Sequence, residues 1–305
     1  MTQHLQTESL TSPINNLLLN DTQVIGCGWD FEYATTHDEF EFLQSKELGF
    51  LYLKNVPNPS EMAIIYPANY YAFSDDEKQS IIIKYFRELL EKRKVAAYKK
   101  IVRSQKANVL DIGCGDGRLL KIIQQHCQAD WQFFGIEIGE EGCRAARTKG
   151  YEVIHSDIEQ ADPIEWQEKF DLILMHQLIE HTRYPQALLT KAASWLKPGG
   201  VISIETPENA GWDYQIFKKR YWGGYHFPRH FFIFNKKTMQ VMAEQVNLDV
   251  ISKKSILSPV FWIHSVHNYL VEHRYLQKIS GFFHFKNVFL LAIATIARSY
   301  TTTIN

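Results

Sequence analysis

Three glycines at alternate positions follow a short apolar run, and they constrain the fold more than any other feature. The run is Val109-Leu110-Asp111-Ile112, and the glycines are Gly113, Gly115 and Gly117. An amphipathic segment follows them, so the order predicts a buried strand, a tight turn and a helix start. Glycine lets the backbone turn sharply and lets a ligand come closer than a side chain would permit. A dinucleotide-binding turn has the spacing Gly-x-Gly-x-x-Gly, with its acidic residue further along the chain. Here the acidic residue, Asp111, stands inside the strand end.

Length and composition describe an ordinary globular protein. The chain has 305 residues, 45% of them apolar and 22% charged, and a formal net charge of −1. One large domain with flanking elements is therefore expected. The charge gives no global basic field, so no nucleic-acid partner is expected. Residues 84–106 contain nine Lys or Arg against two Glu, and we interpret this run as a solvated helix face, with a polyanion contact as the alternative.

The cysteines and the absence of long apolar segments indicate a cytoplasmic setting. Cys27, Cys114, Cys127 and Cys143 are far apart and form no Cys-x-x-Cys pair, and the N-terminus carries no signal peptide pattern. Such usage is typical of a reducing compartment. The longest apolar stretch, residues 288–297, is ten residues long and too short to span a bilayer.

Strand-like and helix-like segments alternate downstream of the glycine turn. We predict strands at 108–112, 131–136, 151–154, 170–175 and 201–205, and helices at 118–127, 140–149 and 185–196. Alternation at this spacing predicts right-handed β-α-β units and a parallel, doubly wound sheet. A helix at 236–246 and a strand at 248–256 would complete a seven-stranded sheet. Ligands of such sheets bind beyond the carboxyl ends of the strands, where Asp111, Glu137 and Asp157 fall.

Three motifs together resemble those of class I S-adenosylmethionine (SAM) methyltransferases. The first is the turn of Asp111, Gly113, Gly115 and Gly117. The second is the block FDLILMHQLIEH at 170–181, which is similar to the branch of the family with Glu-His after the fourth strand. The third is Leu-Lys-Pro-Gly-Gly at 196–200, a turn suited to Pro and Gly. The resemblance implies a Rossmann-like, doubly wound, seven-stranded and mostly parallel sheet, and a SAM-dependent methyltransferase rather than an NAD enzyme.

The resemblance also implies which residues bind the cofactor. Glu137 is expected to accept both ribose hydroxyls, because charge-assisted hydrogen bonds are stronger than neutral ones. Asp157 is expected near the adenine amino group, although capping of the following turn is its alternative role. The full set of cofactor-binding residues that we predict is Asp111, Gly113, Cys114, Gly115, Gly117, Glu137, Ile138, Asp157, Ile158, His176 and Gln177.

The N-terminal segment is similar to a small zinc-binding domain that precedes some methyltransferases of sugars and metabolites. That domain carries two Cys-x-x-Cys pairs, whose positions fall here on Val24, Cys27, Ser45 and Leu48. A structural zinc site needs four donors and only Cys27 remains, so we predict no metal. The expected organisation is a degenerate zinc-ribbon-like, β-rich segment at 1–73, the SAM-binding domain with its N-terminal helices at 74–256, and a helical extension at 257–305.

An aromatic segment beyond the fifth predicted strand resembles the acceptor-binding insertion of small bacterial methyltransferases. It includes Trp212 and the run YWGGYHFPRHFF at 221–232. We therefore expect a small-molecule or glycan-linked acceptor. If the acceptor is a hydroxyl, a histidine is the usual base, because its pKa lies near working pH. The candidates are His181, His226 and His230, with Glu180 and Tyr225 as supporting residues. A purely structural role for each histidine is the alternative.

Three candidate functions stay open at this stage. O-methylation of a small or glycan-linked acceptor is the preferred function, and methylation of a polyprenyl quinone precursor or another lipid is its rival. A non-catalytic SAM-binding protein is the third possibility, although the intact glycine turn and Glu137 favour a working cofactor site. The aromatic segment from Pro259 onward is expected to pack on the core, with peripheral membrane contact as the alternative. The sequence does not define the oligomeric state.

Overall fold

The N-terminal part of the chain forms short antiparallel strands. The structure is a computed structural model that describes residues 4–67, 92, 94–127, 130–257, 259–273 and 298–304. The first elements are β1 (Thr7–Glu8), β2 (Val24–Gly28), β3 (Phe40–Gln44), β4 (Leu51–Leu53), β5 (Val56–Pro57) and the short helix α1 (Met62–Ile65). β2, β3 and β4 pair in sequence order, and β1 pairs with β5. The predicted β-rich segment is therefore present.

Alternating strands and helices follow, as the sequence predicts. They are α2 (described over 94–102), β6 (Lys106–Ile112), α3 (Arg118–His126), β7 (Asp130–Glu137), α4 (Glu140–Thr148), β8 (Glu152–His155), β9 (Phe170–His176), α5 (Pro185–Trp195), β10 (Leu196–Pro207), α6 (Trp212–Phe217), β11 (Phe232–Ile233), α7 (Lys236–Glu244), β12 (Val250–Leu257), α8 (Pro259–Glu272) and β13 (Arg298–Ile304). The helix α2 agrees with the N-terminal helices that are expected at the start of the SAM-binding domain, and residues 74–91 of that region lie outside the described residues.

A seven-stranded sheet with the order β12-β13-β10-β9-β6-β7-β8 forms the centre of the fold. The five strands from β10 to β8 are parallel, and β13 is antiparallel to both of its neighbours. This confirms the doubly wound, mostly parallel sheet. The order reverses between β6 and β9, which places the glycine turn after β6 at the switch point where such sheets bind ligands.

The central strands bury both faces. Along β6, Val109 packs in one apolar cluster, whereas Leu110 and Ile112 pack in the other. Leu172 and Leu174 of β9 likewise face one layer, and Ile173 and Met175 face the opposite one. Successive side chains of a strand point to opposite faces, so a continuous apolar run is what a strand covered on both sides requires.

The C-terminal part corrects one expectation. α8 is helical as predicted, but residues 298–304 form β13 and insert between β10 and β12, so a wholly helical extension is wrong. The segment Arg-Ser-Tyr-Thr-Thr-Thr-Ile is rich in β-branched and aromatic residues, which favour strands. Residues 282–297, the aromatic and apolar part of the tail, lie outside the described residues.

The N-terminal segment shares a sheet with the acceptor insertion. β11, which follows the Pro-Arg-His turn, pairs with β4 to give the order β11-β4-β3-β2. Val24 and Cys27 lie in β2, while Ser45 and Leu48 lie between β3 and β4. The Cys27 Sγ atom is 3.7 Å from Arg220 Nη1. The predicted boundary at residue 73 lies outside the described ranges.

Candidate cofactor and acceptor site

The glycine turn joins β6 to α3 in a left-handed backbone conformation. Gly113, Gly115 and Gly117 have φ angles of 77°, 54° and 77°, which favour glycine. A Cβ atom at Gly117 would lie 2.8 Å from the Tyr151 ring, so that glycine is needed for packing. A Cβ atom at Gly115 would have nothing within 4 Å. The backbone at Gly115 therefore borders open space that a ligand can fill.

Glu137 stands at the end of β7 and is held against this turn. Its Oε2 atom accepts the Gly115 N–H at 2.7 Å, and its Oε1 atom accepts the Gly139 N–H at 2.7 Å. The residue is 7% exposed. Each carboxylate oxygen has a second lone pair, so the fixed carboxylate can still accept the two ribose hydroxyls that the resemblance implies.

The residues around this turn fit a nucleoside with an amino-acid tail. Asp111 is buried at the end of β6, and Ile138 is 64% exposed beside Glu137, where it offers an apolar surface to a flat ring. Cys114 is buried, and burial raises the pKa of its thiol. Asp157 Oδ1 accepts the Glu159 N–H at 2.9 Å, which is the turn-capping role that the sequence left as the alternative. Asp157 and Ile158 are half-buried next to the end of β8.

His176 is tied to neighbouring elements rather than left open. Its Nε2 atom lies 3.2 Å from the Tyr98 hydroxyl and 3.3 Å from Ser203 Oγ. In the same group Glu205 accepts a hydrogen bond from Lys94 Nζ at 2.6 Å. Tyr98 and Lys94 belong to α2, so this helix is fastened over the carboxyl ends of β9 and β10. Gln177 is exposed and has a φ of 52°. Contact of His176 or Gln177 with the cofactor stays a prediction.

The three predicted histidines meet in one cluster. The ring centroids of His181 and His230 are 4.6 Å apart, those of His226 and His230 are 5.0 Å apart, and those of His181 and His226 are 6.2 Å apart. His181 ends a single 3₁₀ turn after β9. Leu178, directly before that turn, lies close to Gly113, because a Cβ atom built at Gly113 would be 3.2 Å from Leu178 Cδ1. The 3₁₀ turn that ends at His181 therefore begins beside the glycine turn.

Hydrogen bonds fix the tautomers of His181 and His230. The Nδ1 atom of His181 lies 3.0 Å from the Arg229 carbonyl oxygen, and that of His230 lies 2.8 Å from the Gly224 carbonyl oxygen. A carbonyl only accepts, so each Nδ1 carries the proton and each neutral ring keeps Nε2 as an acceptor. Burial, helped by the neighbouring His226, lowers the pKa of His181 to about 3. Burial also holds the pKa of His230 well below its usual value.

Two residues near the cluster, Glu32 and Tyr66, were not predicted, and Glu180 was expected only as a support for the histidines. The Tyr66 hydroxyl lies 3.1 Å from His181 Nδ1. Glu32 Oε1 lies 2.9 Å from His226 Nδ1, where the two imidazoles beside it outweigh burial and hold the pKa of Glu32 well below its usual value. Glu180 is fully buried, and burial raises its pKa to about 8. Glu32 and Tyr66 are far from the histidines in sequence, so no spacing pattern could indicate them.

Two sets of side chains among the described residues carry donors of the types that bind metals. Their candidate ligand atoms lie within 4.8 Å of one another in each set. One set is Glu180, His181 and His230, and the other is Glu32, His226 and His264. The sequence prediction of no metal considered only the four positions of the lost zinc ribbon.

The sheet topology and the turn define a class I SAM-dependent methyltransferase fold. Residues 82–253, more than half of the chain, match the sequence model of a methyltransferase domain family. The chain therefore belongs to this methyltransferase domain family, and SAM is the cofactor of the domain. The resemblance drawn from the sequence motifs is confirmed.

Curated relatives and a solved structure agree with this assignment. A ubiquinone biosynthesis O-methyltransferase of Bradyrhizobium is 32% identical over 124 residues, which cover 36% of this chain and 47% of the relative. An (S)-coclaurine N-methyltransferase of Papaver somniferum is 30% identical over 105 residues, which cover 32% of this chain and 29% of the relative. The match thus spans at most about half of these relatives. The Burkholderia thailandensis 1,6-didemethyltoxoflavin-N1-methyltransferase has a similar fold, with a TM-score of 0.52, 13% identity and coverage of 87% of this chain and 95% of that chain.

Proposed function

We propose that this chain transfers the methyl group of SAM to a hydroxyl oxygen of a small-molecule or glycan-linked acceptor. The observation that carries the proposal is the pair of buried, neutral imidazoles of His181 and His230, of which His181 ends the 3₁₀ turn that begins beside the glycine turn. With both Nδ1 atoms hydrogen-bonded to backbone carbonyls, each neutral ring has Nε2 as its proton acceptor. The lowered pKa of both rings keeps them neutral and makes them weaker bases than a free imidazole. A hydroxyl acceptor must lose a proton during transfer, whereas many other acceptors need not.

The chain's own residues have three tasks in this reaction. Bound SAM supplies a methyl group on a sulfonium, which is a good leaving group, so alignment and exclusion of water supply much of the rate. Glu137 and the Gly115 backbone hold the nucleoside end. His181 or His230 takes the hydroxyl proton at Nε2, and the buried aromatic residues of the insertion, such as Tyr225 and Phe231, exclude water.

His226 is proposed as the residue that orients the pair. Its ring contacts both other imidazoles, and its own Nδ1 is held by Glu32 in the N-terminal segment. This arrangement supports a role for the β-rich N-terminal segment as one wall of the acceptor site. Tyr66 belongs to the same segment, and its hydroxyl lies 3.1 Å from His181 Nδ1, so it also forms part of this wall.

A phenolic acceptor is the second candidate. Several relatives are named ubiquinone biosynthesis O-methyltransferases, and an aromatic acceptor ring would find the Tyr66 ring beside the histidines. Within the described ranges, no helix is both long and apolar enough to cross a bilayer. We propose a cytoplasmic location, with peripheral membrane contact through the tail as the alternative.

The test is transfer of label from methyl-labelled SAM into a cell extract that is separated into organic, water-soluble and macromolecular fractions. Label in the water-soluble or glycan fraction supports the first acceptor class, and label in the organic fraction supports a phenolic lipid. The variants His181→Ala and His230→Ala are compared with His273→Ala, an exposed histidine of the segment after α8. Loss of a general base costs about 10²–10⁴-fold in turnover.

Two outcomes would contradict the proposal. If both alanine variants keep turnover close to that of the control, neither histidine is the base. If S-adenosylhomocysteine binds but no fraction acquires label, the chain is a non-catalytic SAM-binding protein.

A further inference from the structure

A second group of metal-binding side chains lies beside the histidine pair, and the proposed methyl transfer uses it only through the positioning of His226. It consists of Glu32, His226 and His264, which we call the Glu32 cluster. Glu32 follows β2, His226 lies in the acceptor insertion, and His264 lies in α8. Three separate parts of the chain thus bring one carboxylate and two imidazoles together.

We propose that the Glu32 cluster binds one divalent transition-metal ion of the Zn²⁺ type, which fastens the N-terminal segment and α8 to the acceptor insertion. Two imidazoles and one carboxylate are a donor set that such ions accept, with a fourth position left for water. The proposal does not depend on the identity of the acceptor or on which histidine is the base.

The distances suit a coordination site. Glu32 Oε1 is 2.9 Å from His226 Nδ1 and 3.3 Å from His264 Nδ1. Bonds of 2.0–2.2 Å around a tetrahedral ion separate neighbouring ligand atoms by about 3.4 Å. The two observed separations are close to that value, so a small rotation of the side chains is enough to admit the ion.

The surroundings favour a built site rather than a chance surface cluster. The side chains of His226, His264 and Glu32 are 3%, 9% and 10% exposed. Both imidazoles contact the same carboxylate oxygen, Glu32 Oε1, so the second oxygen of that carboxylate takes no part in either contact. His226 has a φ of 42°, and such strain in a non-glycine residue persists only where the surrounding structure enforces it.

The experiment uses the full chain with Zn²⁺ and Co²⁺ as probes. After treatment with a chelator and dialysis, we expect the protein to take up one Zn²⁺ per chain, measured by elemental analysis. Co²⁺ should give the visible absorption of a tetrahedral site. Because a ligand that binds only the folded state stabilises it, a 100-fold excess of Zn²⁺ over its Kd should raise the melting temperature by about 4 °C.

Matched variants locate the ion. Glu32→Gln keeps the side-chain shape but removes the carboxylate charge, and His264→Gln replaces the imidazole by a polar amide. Each variant should weaken Zn²⁺ binding at least about tenfold. His273→Gln and Cys27→Ser should bind as the natural chain does. Circular dichroism checks that each variant is folded, and the second cluster variant keeps the test valid if the first does not fold.

Two results would overturn the proposal. The first is a natural chain that takes up no stoichiometric Zn²⁺ and gives no Co²⁺ spectrum. The second is an ion that is lost in Glu180→Gln but retained in Glu32→Gln, which would assign it to the other set of donors.

Discussion

Arg229 and Asp30 form a fully buried, two-pronged ion pair. The guanidinium Nη1 and Nη2 atoms lie 3.0 and 2.8 Å from the two carboxylate oxygens, and both side chains are 0% exposed. The Arg229 Nε atom also donates to the Ile65 carbonyl at 2.6 Å. Arg229 of the acceptor insertion therefore holds two parts of the N-terminal segment, at Asp30 and at Ile65. His230 is the next residue in the chain.

Removing one member of this pair should be costly. Arg229→Met leaves the Asp30 charge buried without its partner, so we expect a loss of about 3–5 kcal/mol in the free energy of unfolding. Urea denaturation followed by tryptophan fluorescence measures it. Lys54→Met removes the pair between Lys54 and Glu41, whose lysine side chain is 52% exposed, and should cost less than about 1 kcal/mol. Similar losses for both variants would show that Arg229 is not an anchor.

Gly115→Ala should separate cofactor affinity from backbone strain. The new Cβ would enter the open space beside the turn, and we expect SAM to bind at least about tenfold more weakly, by loss of about 1.4 kcal/mol or more. Gly150→Ala is the matched control, since Gly150 has a φ of 90° and also has nothing within 4 Å of its Cβ position. Both variants should lose about 1–2 kcal/mol of stability from the left-handed backbone. Equal SAM affinities of the two variants, measured by titration calorimetry, would show that the cofactor does not bind at this turn.

Glu137→Gln should weaken SAM binding by about tenfold or more. The amide can present only one acceptor oxygen, so its NH₂ group would face the N–H of either Gly115 or Gly139, and the charge-assisted bonds would be lost. Asp116→Asn, in the same turn but exposed, keeps its acceptor oxygen for the Arg118 N–H and should leave affinity unchanged. Equal SAM affinities of Glu137→Gln and Asp116→Asn would show that Glu137 does not bind the cofactor.

Glu180 should make stability fall as the pH rises. Its folded-state pKa of about 8 lies above the ordinary 4.5, so between these values the folded chain holds a proton that the unfolded chain releases. The contribution of Glu180 to the free energy of unfolding is therefore greatest below about pH 4.5. It decreases as the pH rises from about 4.5 to about 8. At 1.36 kcal/mol per pKa unit, the shift from 4.5 to about 8 corresponds to a decrease of about 5 kcal/mol.

The isosteric variant tests this assignment. Glu180→Gln removes the titration, so its stability between pH 5 and pH 8 should change less than that of the natural chain. Glu41→Gln, on the surface, should keep the natural slope. Parallel stability curves for the natural chain and Glu180→Gln, measured by urea denaturation, would mean that Glu180 does not titrate in this range.

Local signals predicted the central domain well, because strands and helices there are defined by nearby residues. The predicted helix at 118–127 is observed as Arg118–His126, and the predicted strand at 170–175 as Phe170–His176. Apolar periodicity and the glycine turn determine these elements within a dozen residues. Glu137 also lies at the end of a strand, as predicted. The carboxyl ends of parallel strands share one edge of the sheet, so this position is at the ligand-binding edge.

Relationships between distant residues could not be predicted. The three histidines were chosen one at a time by chemistry, and only the fold shows that they touch. Glu32, Tyr66 and His264 reach the cluster from parts of the chain that no motif connects. β13 was missed because the preceding apolar run favoured a helix, whereas its backbone is placed by pairing with β10 and β12.

The position of β13 has a consequence for how the protein is made. β12 joins the sheet only through β13, so residues 250–257 leave the ribosome about forty residues before the strand that pairs with them. Pairing β10 with β13 closes a loop of about ninety residues, and non-local contacts of this kind form slowly. During synthesis the edge of β10 stays open while the glycine turn and its strands are already complete. A chain released before residue 298 would expose that edge, and an unpaired strand edge is a template for aggregation.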